Sequence, residues 1–165
     1  GWDLNAMLAS LMAFKGLAHR CEVIESHDGI RWINDSKATN VGATLAAIEG
    51  LSPTLKGNKL ILIAGGDGKG ADFSPLSQVL TQQVDYLITL GKDGRAIASL
   101  RLSQQAETTS HVDSLPAAVE LARTQANVGD MVLLSPACAS LDMFANYVER
   151  GVVFIKSVLI QKGGS

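Results

Sequence analysis

Several absences narrow the 165-residue chain before any motif is read. Cysteine is nearly missing. Cys21 and Cys138 lie far apart in no Cys-x-x-Cys or Cys/His cluster, which argues against a zinc knuckle or a disulfide scaffold and fits a reducing, cytoplasmic setting. No apolar run reaches the roughly 20 residues of a bilayer span. The most apolar stretch, residues 4–14, has no basic leader or small-residue cleavage site, so neither a membrane nor a secretory role is expected. Neither charge dominates: 14 Lys+Arg against 16 Asp+Glu leave a net charge of -2, too even for the broad cationic surface that nucleic acid requires. Any anion must be bound locally. With 18% charged and 47% hydrophobic residues the composition is that of a folded core, and no repeat, low-complexity tract or Pro/Ser linker divides it. One domain of this size buries roughly 70% of its unfolded surface.

The apolar pattern supplies the elements. Leu4, Met7, Leu8, Leu11 and Met12 recur at helical spacing ahead of Gly16, so residues 4–14 read as a short amphipathic helix. Two short alternating runs, 21–26 and 30–34, flank His27-Asp28-Gly29, a hairpin signal. A helix is predicted over 41–48, closed by Gly50. Apolar runs at 60–64, 86–90 and 131–134 then alternate with helices at 74–82, 95–100 and 114–125; a weaker strand falls near 107–111. The closing helix is expected over 142–161, with Phe144, Tyr147, Val148, Phe154 and Val158 on one side. Continuous apolar strands alternating with amphipathic helices imply an α/β fold: a Rossmann-like, mainly parallel sheet with helices on both faces, preceded by a β-hairpin. Ligands in such sheets sit beyond the carboxyl ends of the strands.

That rule selects three loops. In Asn34-Asp35-Ser36-Lys37-Ala38-Thr39-Asn40, the Lys37 ammonium, the Ser36 and Thr39 hydroxyls and free amides at the next helix would form an anion site. Asp35 could take ribose hydroxyls or a metal-bound water, or be merely solvated beside a Thr39 or Asn40 helix cap. Gly65-Gly66-Asp67-Gly68-Lys69-Gly70 lets backbone amides approach a ligand, with Lys69 as a candidate anion ligand or an exposed lysine on a turn. It matches neither G-x-x-x-x-G-K-[ST] nor G-x-G-x-x-G, which counts against a self-contained ATPase and a dinucleotide-dependent oxidoreductase. In Ser135-Pro136-Ala137-Cys138-Ala139-Ser140-Leu141-Asp142, Ser140 or Asp142 can cap the next helix or meet a carboxylate. Cys138 among small residues reads as buried and inert. His19 and Arg20 are costly to bury, so exposure or a ligand is expected; His27 and His111 read as surface residues, and Arg150 as a solvated charge unless a phosphate lies near.

Phe14-Lys15-Gly16-Leu17-Ala18-His19-Arg20-Cys21-Glu22, the Trp32–Asn40 segment, the glycine loop and Leu133-Leu134-Ser135-Pro136-Ala137-Cys138-Ala139-Ser140-Leu141-Asp142 together resemble the Mur ligases, and among them the D-glutamate-adding branch. The resemblance runs from His19 onward. It implies that residues 15–165 are the C-terminal, amino-acid-binding domain, with residues 1–14 the tail of a preceding domain or expression-derived sequence, and that the P-loop lies in a missing central domain. The implied reaction activates the carboxylate of UDP-N-acetylmuramoyl-L-alanine with ATP, accompanied by Mg2+, to an acyl phosphate that the D-glutamate amine attacks; this domain alone would be inactive. The resemblance assigns His19, Arg20 and Lys37 to catalysis, with His19 near the metal. It assigns Arg20, Asp35 and Arg150 to the nucleotide, and Lys37, Thr39, Lys69, Ser140, Leu141 and Tyr147 to D-glutamate. Tyr147 stands where that branch tends to carry Phe, and 52–57 reads as an insertion. Read without the resemblance, the same loops suit a non-enzymatic module that senses a phosphorylated metabolite or an amino acid.

Overall fold

The computed structural model describes residues 18–160; the helix expected at 4–14 and the 1–14 boundary lie outside the described residues. Six strands form one sheet in the order β1-β2-β6-β3-β4-β5. The hairpin pairs β1 (Glu22–Ile24) with β2 (Arg31–Asn34) antiparallel, and β3 (Leu60–Gly65), β4 (Tyr86–Leu90), β5 (Thr109–His111) and β6 (Met131–Leu134) continue parallel to β2. Every residue of β3 and β6 is buried, which is why both read as unbroken apolar runs.

The period-2 geometry of the strands sorts their side chains into two cores. Ile33, Leu60, Leu62, Leu87 and Leu133 face α1 (Val41–Leu51), α2 (Ser77–Gln82) and α3 (Gly94–Ala98) through Ile48, Leu80 and Ile97. Trp32, Ile61, Ile63, Ile88 and Val132 face α4 (Leu115–Gln125) and α5 (Tyr147–Leu159) through Val119, Phe154 and Val158. Helices therefore cover both faces. The chain steps outward from β3 to β5, and α4 then carries it back to insert β6 between β2 and β3. Beyond β3 it turns toward β4, and beyond β6 it turns to α5, which packs over β2. Adjacent strands that leave in opposite directions open a crevice at their carboxyl ends.

Several boundaries differ from the sequence expectation. Helix α1 continues through exposed Gly50 and ends where Pro53, lacking an N–H, starts a 3-10 turn over Ser52–Thr54. The segment 74–82 begins as a 3-10 turn (Ser74–Leu76), and a 3-10 stretch (Ser103–Thr108) occupies the start of the predicted weak strand. The last helix starts five residues later than expected. Met143 and Phe144 donate to the Ser140 carbonyl in a turn, Asp142 accepts from the Lys92 amide, and Asn146 caps α5 by accepting from Glu149 N at 2.9 Å. On that helix Val148 is exposed, while Arg150, expected to be solvated, is buried. His19, for which exposure or a ligand is expected, is likewise buried. His111 is no free surface residue: its Nδ1 lies 2.9 Å from Thr89 Oγ1, and its ring fills the space beside Gly94.

Candidate functional site

The loops after β2, β3 and β6 meet at the crevice, held by their own backbones. Asp67 and Ala139 exchange two hydrogen bonds (3.0 and 2.8 Å), Gly65 N donates to Pro136 O (3.0 Å), and Ala137 N donates to Ala38 O (3.0 Å). Only glycine permits this approach: at Gly65 a Cβ would lie 1.9 Å from Leu90 O, and at Gly66 it would lie 2.5 Å from Ala139 O. The loop after β4 joins them, since Asp93 N donates to Gly66 O (2.8 Å) and Lys92 Nζ lies 3.8 Å from Asp67. Of the five non-glycine residues with positive φ among the described residues, His19, Cys21, Lys69 and Ala137 lie in these loops or in the segment that leads into β1, leaving Lys56 elsewhere. Backbone strain is thus concentrated where the loops converge.

Arg150 is the clamp beneath them. Its Nε donates to Ser36 Oγ (3.0 Å), Nη2 to Ser36 O (2.7 Å) and Nη1 to Cys138 O (3.0 Å), while Ser36 Oγ donates to Tyr147 O (2.7 Å). One guanidinium ties α5 to two loops. Burial lowers its pKa to about 10, against the opposing pull of Cys138 and Asp142, so it remains a cation at neutral pH. Three donors of Arg150, the expected nucleotide contact, serve the protein itself.

The entry segment is knotted to the same loop. His19 O accepts from Lys37 N (2.9 Å), and Cys21 N donates to Asp35 Oδ1 (3.1 Å). The His19 ring occupies a notch left by Gly151, where a Cβ would lie 2.1 Å from Nδ1, and its edge meets Tyr147. Asn34 Oδ1 accepts from Ser36 N and its Nδ2 donates to Glu22, which fixes the amide's orientation. Nδ2 therefore donates to His19 Nδ1 at 2.9 Å, leaving the ring hydrogen on Nε2. A nitrogen bearing hydrogen is a donor, and magnesium favours oxygen ligands, so the expectation of His19 as a metal ligand does not fit. Among the described residues no group of three or more His, Cys, Asp or Glu side chains could hold a metal.

Asp35 is buried too, accepting from Ser135 Oγ at 2.8 Å as well as from Cys21 N; burial outweighs those bonds and raises its pKa. The solvated alternative for this carboxylate is overturned. Asn40 provides the ordinary helix cap, accepting from Ala43 N at 2.9 Å. Arg20, Asp35 and Lys37 share the rim of a cleft of about 310 Å3 against α1, with Arg20 exposed and Lys37 half-buried. Thr39, Lys69 and Leu141 are exposed, Tyr147 is half-buried and Ser140 is buried. Burial pushes both thiols up to about 12, Cys138 further aided by Asp93 and Cys21 by Asp35, which removes them as nucleophiles at neutral pH. The Ser36 hydroxyl, expected in the anion site, is instead buried, donating to Tyr147 O and accepting from Arg150, and sequence reasoning missed Asn34 and Ser135 as organisers. The one local signal was Gly151, a glycine within a helix, which marks a close approach.

The family model described as "Mur ligase, glutamate ligase domain" matches residues 19–138. The chain belongs to this family of Mur ligase domains. A UDP-N-acetylmuramoylalanine--D-glutamate ligase of Colwellia psychrerythraea is 64% identical over 159 residues, covering 96% of the chain and 33% of that relative. One of Pseudomonas savastanoi pv. phaseolicola is 55% identical, covering 96% and 35%. The Mur ligase domain thus spans about a third of the length of these curated relatives. Two solved structures share its fold. A folylpolyglutamate synthase of Thermotoga maritima matches with TM-score 0.60 at 16% identity, covering 98% of the chain and 36% of its own. A UDP-N-acetylmuramate-alanine ligase of the same organism matches with TM-score 0.59 at 17% identity, covering 94% and 33%.

Proposed function

We propose that this chain is the amino-acid-binding domain of an ATP-dependent ligase that adds D-glutamate to UDP-N-acetylmuramoyl-L-alanine in peptidoglycan synthesis, and that it is inactive alone. The observation carrying this reading is the convergence of the loops bearing Lys37, Lys69 and Ser140 at one crevice, in a domain 64% identical to part of a protein so named. A dicarboxylic amino acid needs cations and donors on more than one side, and the loops after β2, β3 and β6 supply Lys37, Lys69 and the Ser140 hydroxyl. Thr39, Leu141 and Tyr147 complete the walls.

Arg20 and Lys37, at the rim of one cleft, fit the phosphates of a nucleotide brought by the preceding domain. That nucleotide supplies the phosphoryl group that activates the sugar-peptide carboxylate. Here Arg20 and Lys37 offset negative charge, Asp35 and Arg150 hold the Ser36–Thr39 loop in register, and His19 presents an Nε2–H donor. The described residues hold no cluster of three or more His, Cys, Asp or Glu side chains that could hold a metal ion, and no step is routed through a metal held by this chain alone.

The test is D-glutamate-dependent phosphate release. The isolated chain should release none from ATP, and the full-length enzyme should release it steadily. Lys37→Ala or Lys69→Ala in the full-length enzyme should lower the rate by about one to two decades, as one lost charge-assisted contact of about 1.5–3 kcal/mol dictates. Undiminished rates in both variants would reject the assigned roles.

A further inference from the structure

A second cleft stands apart from the crevice. It lies at the opposite edge of the sheet, about 400 Å3 in volume, between α3, the 3-10 stretch after it and β5. Its walls carry Arg95, Arg101 and His111 with the hydroxyls of Ser99, Ser103 and Ser110, and no aspartate or glutamate lines it. That imbalance is unusual in a chain with net charge -2.

Arg101 forms the floor and is only 8% exposed. Its guanidinium donates to the carbonyls of Leu80, Val84 and Thr108 and to the hydroxyls of Thr108 and Thr109, all neutral acceptors. The nearby Asp85 carboxylate accepts from Leu60 N instead of pairing with it. Among the described residues neither Arg101 nor exposed Arg95 forms an ion pair with a carboxylate within 4.0 Å. A buried cation held by neutral dipoles keeps its field, and a concave low-dielectric wall focuses that field into the cleft. His111 spends Nδ1 on Thr89, leaving Nε2 for the cleft it lines; the charges of Arg95 and Asp113 act on this ring in opposite senses.

We propose that this cleft binds a small phosphate-bearing oxyanion, with Arg95 as its exposed cationic ligand, Arg101 as a buried counter-charge, and the Ser103 hydroxyl and His111 ring as orienting groups. The cleft is at the lower end of the size range of small-molecule sites, and its polar groups are those that take tetrahedral oxyanions. The proposal is independent of the ligase reading, because β4, β3 and β6 separate β5 from β2.

The experiment is a titration of the isotopically labelled 165-residue chain with sodium phosphate, and separately with glycerol 3-phosphate, at constant ionic strength set by sodium chloride. Amide resonances of Ser99, Ser103, Ser110 and His111 should shift and saturate. Saturation by one probe alone identifies free phosphate or a phosphomonoester as the preferred source. Arg95→Ala, an exposed change whose spectrum elsewhere reports an intact fold, should weaken binding about tenfold, as expected for one lost charge-assisted hydrogen bond. Arg95→Glu should abolish it. Shifts that never saturate, that saturate equally in Arg95→Ala, or that concentrate around Lys37 and Lys69 would overturn the proposal.

Discussion

At the scale of single residues, the crevice depends on close packing behind its rim. Gly151 is the clearest case. Its missing Cβ makes room for the His19 ring, whose carbonyl in turn accepts from the Lys37 amide. Gly151→Ala should therefore cost about 1–3 kcal/mol of unfolding free energy by overpacking, despite alanine's better helix propensity. In the double variant with His19→Ala most of that added cost should vanish, so urea denaturation of the four-member cycle should show strong non-additivity. Additive costs would mean that the ring does not occupy the notch. Gly151 marks a close approach, but not which residue makes it. His19 and Gly151 are far apart in the chain, and nothing in Ala18-His19-Arg20 announces a buried imidazole.

At the scale of elements, caps and latches decide where segments begin and how they dock. Helix α5 starts at the Asn146 cap, so Asn146→Ala should destabilise the chain by about 1 kcal/mol, while Asp142→Ala leaves the helix start untouched; the comparison is a pair of thermal melts. The hairpin is latched from beneath. Asp28 accepts from Trp32 Nε1 and pairs with Arg123, whose guanidinium lies 5.0 Å from the Trp32 ring centroid and donates to Val158 O. Burial pushes the Asp28 carboxyl up, but bonds from Ser26, Ile30 and Trp32, with the Arg123 charge, outweigh it, and its pKa falls below the ordinary 3.8. A depressed carboxylate contributes stability above its unfolded value and loses it as pH drops through the lower folded value. Asp35 is raised, so its contribution has the opposite sign: present below the ordinary value and lost as pH rises through the folded one. Urea midpoints followed below pH 4 should therefore fall less steeply in Asp28→Asn than in the parent chain, and an unchanged slope would remove the latch from the account.

At the scale of the whole molecule, the central strands and the edges carry different loads. β3 and β6 are buried throughout, whereas β5 is half-exposed. Amides of β3 and β6 should exchange hydrogen only through global unfolding, and those of β5 by cheaper local opening, which native-state exchange in low urea reads directly. Equal protection along β5 and β6 would contradict this ordering. The sequence by itself determined the alternation of strands and helices, the hairpin and the three polar loops, because burial periodicity and turn chemistry act within a few residues. Membership of the Mur ligase domain family was legible for the same reason, since its motifs are contiguous. The tertiary structure alone decided that β6 inserts between β2 and β3, that Ser135 meets Asp35 across a separation of 100 residues, and that Arg150 is a buried clamp. A buried polar group takes whichever partner the fold brings to it, and that choice is made only when distant strands align.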